Sequence, residues 1–88
     1  MRIFFTDNAL DEYKWFTENE IRIAERINHI ISSIKEDPFN GIGKPEPLKY
    51  KYASFWSRRI DKSNRLIYQV LKDNRIIIHQ CKGHYYDK

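Results

Sequence analysis

Glu46 stands between Pro45 and Pro47 in the run GIGKPEPLKYKY, whose other charges are Lys44, Lys49 and Lys51. The flanking prolines restrict the backbone and therefore the directions in which this carboxylate can point. Further along, FWSRRI carries Arg59 and RLIYQV carries Arg65, and CKGHYYDK ends the chain with His84 and two tyrosines. A carboxylate can take a proton, guanidinium groups hold a phosphate, and an imidazole exchanges protons near neutral pH. Together they suit a phosphodiester. If the chain cuts RNA, Glu46 deprotonates the 2′-hydroxyl, Arg65 stabilises the phosphorane-like transition state, and His84 protonates the leaving 5′-oxygen. The tyrosines can stack on bases. That chemistry calls for no metal and no organic cofactor.

Taken singly, each residue has a plainer reading. A lone loop carboxylate is more often an ion-pair partner, here of Lys44 or Lys49. Arg58 and Arg59 read as solvated strand residues, and a histidine near a terminus is usually just exposed. His29 falls on the polar side of a helix, His79 in an apolar strand, and Cys81 beside no nucleophilic dyad or metal set, so all three read as structural. The signal lies in the combination.

The elements that must position these groups follow from pattern. RIFFT reads as a first strand, and Asp7 as the N-cap of a helix over NALDEYKWFTE. From Asn19 to Asp37, the residues Ile21, Ala24, Ile27, Ile30, Ile31 and Ile34 recur at helical spacing, and Pro38 stops that second helix. PFNGIGKPEP holds all three prolines and two of the three glycines, the chemistry of an ordered loop that Glu46 closes. LKYKY, FWSRRI, RLIYQVL and RIIIHQC then read as four strands in an antiparallel meander, joined in part by the turns DKSN and KDN. Strand alternation sends Trp56, Arg58 and Ile60 one way and Ser57, Arg59 and Asp61 the other, which assigns Arg59 to the open face. The order β-α-α-β-β-β-β makes an α+β fold, a small antiparallel sheet packed against two N-terminal helices.

The 88 residues predict one domain spanning 1–88. One cysteine excludes an intrachain disulfide, and no apolar run is long enough for a membrane span or resembles a signal peptide, so the expected location is the cytoplasm. The formal net charge of +4 is unevenly spread. Residues 1–37 hold five Lys/Arg against eight Asp/Glu, and residues 38–88 hold eleven against four. The positive field of the second half favours a polyanion, nucleic acid first and an acidic protein second.

GIGKPEPLK, followed in order by FWSRRI, RLIYQV and CKGHYY, resembles the YoeB/Txe toxins of bacterial toxin–antitoxin pairs, within the RelE superfamily of mRNA interferases. The likeness spans almost the whole chain. It implies the RelE-like fold and a ribosome-dependent endoribonuclease that cuts mRNA in the ribosomal A site and inhibits translation. Glu46 matches the family's base, His84 its acid and Arg65 its transition-state stabiliser. Lys49 and Arg59 match positions assigned to phosphate binding, and Tyr85 one assigned to substrate orientation. The implied partners are mRNA, the ribosome and a YefM-type antitoxin whose complex binds operator DNA, with a homodimer as a further candidate and no membrane. Ser54 stands where relatives usually have glycine, and Tyr86, Asp87 and Lys88 follow the His-Tyr pair at which members commonly end. Two alternatives stay open: a non-cleaving toxin of the same superfold that acts on DNA gyrase, and a basic RNA-binding module.

Overall fold

In the computed structural model, which describes residues 1–49 and 53–84, strand β1 (Arg2–Phe5) leads into helix α1 (Asp7–Asn19) and helix α2 (Ile21–Glu36). Thr6, rather than the expected Asp7, is the N-cap of α1. Its hydroxyl accepts the Ala9 N–H at 3.1 Å, and Asp7 sits inside the first turn, where its negative charge interacts favourably with the positive end of the helix dipole. In α2 the apolar stripe does what its spacing predicts: Ala24, Ile27, Ile30 and Ile34 are buried. Ile21, at the very start of the helix, is 58% exposed. Asp37 caps the C-terminus and Pro38 prevents a further turn.

Four more strands follow: β2 (Glu46–Pro47), β3 (Phe55–Arg59), β4 (Arg65–Leu71) and β5 (Arg75–Gln80). The sheet order is β1-β5-β4-β3-β2. The meander from β2 to β5 is antiparallel as expected, and β1 joins β5 in parallel, so the five-stranded sheet is mixed. The described strand β2, Glu46–Pro47, lies just before the expected LKYKY strand rather than within it. Leu48 still donates its N–H to the Phe55 carbonyl, and residues 50–52 lie outside the described ones. Pro47 is tolerated because β2 is an edge strand.

One sheet face packs on the helices. Leu66 and Tyr68 of β4 and Ile76 and Ile78 of β5 are fully buried against Phe16, Ala24, Ile27, Ile30 and Ile34. Each buried isoleucine is worth about 2 kcal/mol of transfer free energy. Arg59, Arg65, Ile67, Gln69 and Ile77 belong to the other face by alternation. The reading of Arg58 as a solvated residue is corrected: its side chain is fully buried, in line with Ile60 on the core side. At the far end of β5 the register slips. Tyr68 pairs with Ile78 and Ile67 with Gln80, which leaves His79 as the extra residue of a bulge.

Candidate active site

The loop between α2 and β2 is tied down from beneath. The Arg58 guanidinium donates to the Asp37 carbonyl at 2.7 Å, the Asn40 carbonyl at 3.2 Å, the Ile42 carbonyl at 3.2 Å and the Ser33 hydroxyl at 2.8 Å. Its Nε donates to the Tyr68 hydroxyl at 3.0 Å, and that hydroxyl donates to the Pro38 carbonyl at 2.6 Å. Burial raises the Tyr68 pKa, opposed by the Arg58 hydrogen bond and charge. The Asp37 carboxylate accepts the Phe39 N–H and the Asn40 amide, which hold its pKa below the ordinary value, with help from the Arg58 charge.

The loop then runs against β3. Gly43, at φ +82°, accepts the Arg59 N–H at 2.6 Å, and a Cβ here would come within 2.9 Å of the Arg59 carbonyl, so glycine is required by both contact and conformation. Lys44 follows at φ 51°, and Glu46 pairs with Ser57. The carboxylate is thus delivered to the exposed edge of the open face, two residues along from the row of Arg59.

Arg59 and Arg65 are direct cross-strand neighbours. Like charges in that register repel, a cost that a bound anion would reverse. Among the described residues, neither arginine and neither Lys49 nor Glu46 takes part in an ion pair, so the expected pairing of Glu46 with Lys44 or Lys49 is not made. From strand spacing and rise, the Glu46 Cα lies about 8 Å from that of Arg59 and about 12 Å from that of Arg65, close enough for side chains to converge on one phosphodiester.

His84 reaches the same end of the sheet through a braced turn. Gly83 donates to the Asn64 side chain at 2.8 Å and accepts the Arg65 N–H at 3.0 Å. Asn64 is held in turn by the Asp61 carboxylate, and Gln80 donates to the His84 carbonyl at 3.2 Å. Glu12 of α1 accepts the N–H groups of Cys81 and Lys82, and the Lys82 ammonium lies 3.7 Å from the Trp15 ring centroid. Burial, helped by Glu12, pushes the Cys81 thiol up to about 12, which makes it a packing residue rather than a nucleophile.

The structure therefore brings together Glu46, Arg59, Arg65 and the backbone of His84. Lys49 is exposed just beyond β2, on the side of Glu46 away from Arg59. Tyr85 lies outside the described residues. Sequence reasoning missed Arg58, Tyr68, Asn64 and Glu12. The available signal was the alternation that set Arg58 in line with Trp56 and Ile60.

His79 flanks the site on the open face. It stacks on Phe55 with ring centroids 4.7 Å apart and shares a 3.0 Å hydrogen bond with Gln69. Burial lowers its pKa from 6.5. The folded state thus resists a proton that the unfolded chain accepts, so the contribution of His79 is fully present above pH 6.5 and is lost as pH falls below it. Urea unfolding of the wild type and of His79→Gln from pH 7.5 to pH 5 should show the shallower decline in the variant. Equal slopes would contradict this.

The sequence pattern described as "YoeB-like toxin of bacterial type II toxin-antitoxin system" matches residues 5–85. A curated toxin YoeB of Synechocystis is 45% identical over 97% of this chain and 98% of its own. A YoeB/ParE toxin from Agrobacterium tumefaciens superposes with a TM-score of 0.93 at 40% identity, covering 97% of this chain and all of that one. The Staphylococcus aureus YoeB, solved in complex with YefM, superposes at 0.86 with 41% identity over 97% of this chain and 98% of that one. A chain of the Staphylococcus aureus YoeB dimer superposes at 0.88 with 40% identity over the same shares.

Proposed function

The chain belongs to the YoeB-like toxins of bacterial type II toxin–antitoxin systems, and from that premise we propose that it is a ribosome-dependent endoribonuclease that cuts mRNA and inhibits translation. The observation that carries the reading is the Arg59–Arg65 pair on the open face, with Glu46 near one end and the His84 turn at the other. Two adjacent cations without carboxylate partners among the described residues form a phosphate seat. Glu46, at the exposed edge, takes the proton of the 2′-hydroxyl. The oxygen attacks the adjacent phosphorus, Arg65 and Arg59 balance the added negative charge, and His84 protonates the departing 5′-oxygen. Lys49 holds a neighbouring phosphate and Tyr85 orients the substrate. The ribosome contributes by presenting the mRNA in its A site in the geometry of attack.

The positive half of the chain also suits an acidic partner, and a YefM-type antitoxin is the one proposed, by likeness to the Staphylococcus aureus complex. The complex would bind operator DNA, and the toxin would form a homodimer, as that relative does.

The experiment exposes translating ribosomes to the protein and maps the mRNA ends. Because the nucleophile belongs to the RNA, the upstream product should carry a 2′,3′-cyclic phosphate and the downstream product a free 5′-hydroxyl. A 5′-phosphate would identify water as the nucleophile and reject this mechanism.

A further inference from the structure

Arg58 is fully buried, and all five of its N–H donors are used. Its acceptors are uncharged: two hydroxyls and three loop carbonyls. With the Tyr68 hydroxyl on Pro38, four of the six carbonyls from residue 37 to residue 42 are fixed by this one pair of side chains. The loop continues into the Gly43–Arg59 backbone bond and then into Glu46, which pairs with Ser57, the residue before Arg58. Even Gly41 is shaped by the arrangement, since a Cβ there would strike the Ser33 hydroxyl and lie 2.8 Å from Arg58 Nη1. A cation sunk in a small core is costly, and a loop that had only to close could use turn residues alone.

We propose that Arg58 and Tyr68 form a buried clamp whose role is to position Glu46. Arg58 is a positioning residue: it touches no substrate and acts through the loop that carries the carboxylate. The functional part of this inference rests on the cleavage reading above. The clamp makes the path from the end of α2 to β2 rigid, so the carboxylate is held relative to the Arg59–Arg65 pair before RNA arrives.

Arg58→Met strips the loop of its donors and risks the fold, so Tyr68→Phe decides the question: the ring still fills its place while the hydroxyl is gone. Two measurements are made on the wild type and on this variant, at a temperature where both are folded. In cleavage on translating ribosomes, kcat should fall by about tenfold with KM for ribosomes changed by less than about twofold. In amide hydrogen exchange, residues 37–48 should exchange about tenfold faster than in the wild type while Ile76 and Ile78 keep their protection. An unchanged kcat in an active wild type would overturn the positioning role. So would exchange that is unaltered in the loop, or accelerated equally throughout the sheet. If the wild type itself fails to cleave, the cleavage reading falls, and the exchange pattern alone decides the clamp: local acceleration upholds it and uniform acceleration rejects it.

Discussion

Glu46→Gln should lower the rate of mRNA cleavage on translating ribosomes by about a hundredfold or more while ribosome binding persists. The amide keeps the size and hydrogen-bonding reach of the carboxylate but cannot accept the proton of the 2′-hydroxyl. Glu46 is exposed on an edge strand and forms no ion pair among the described residues, so the change removes no internal contact, and the fold should be untouched. His84→Ala should cost a similar factor by leaving the 5′-oxygen to depart without a proton. Arg65→Ala should cost on the order of a few kcal/mol of transition-state stabilisation, because it halves the cationic pair. Acid and base serve one transition state, so the double change at Glu46 and His84 should cost less than the product of the two single effects. Single-turnover cleavage with saturating toxin measures each. Wild-type rates in both Glu46→Gln and His84→Ala would remove these residues from the mechanism and favour a basic RNA-binding module, for which neither matters.

What could be read in the sequence was whatever depends on local chemistry. Isoleucine spacing marked the buried stripe of α2, and alternation along β3 assigned Arg59 to the open face. Proline and glycine marked the loop that ends at Glu46. The parallel pairing of β1 with β5 was not legible, because RIFF carries no sign of which strand it will meet or in which direction. The shift of β2 onto Glu46–Pro47 was hidden for a similar reason: proline argues against a strand unless that strand is known to be at an edge. The choice of Thr6 over Asp7 as cap turns on a single residue, within the usual ambiguity of helix ends. Among the site residues, the cations and the carboxylate were found because their chemistry is visible in their type. Asn64 and Glu12 were missed because their work is to bond backbone groups far along the chain, in the turn before His84. Arg58 was misread on the general rule that arginine is solvated, although its position in the alternation pointed inward.

Arg58→Met should destabilise the protein by about 3–5 kcal/mol, a large part of what a domain of this size has in reserve. Replacing a buried ion pair by apolar residues can be neutral when both partners go. Here the partners are the carbonyls of Asp37, Asn40 and Ile42, which no side-chain substitution can remove. The methionine would leave them without the donors that face them, along with the Ser33 hydroxyl, and each of these partly buried acceptors so abandoned costs about 1 kcal/mol unless the loop lifts to find water. If it lifts, the cost is lower and Glu46 moves with it. Arg58→Lys should recover only part of the loss, since one ammonium at the end of a flexible stem cannot span acceptors set around a planar fork. Ser33→Ala removes a single acceptor and should cost about 1 kcal/mol. Urea unfolding of the three variants gives the order directly: Arg58→Met lowest, Arg58→Lys between, Ser33→Ala nearest the wild type. An Arg58→Met protein as stable as the wild type would mean that the loop carbonyls find equivalent donors without the guanidinium, and the buried cation would then have no structural reason to be there.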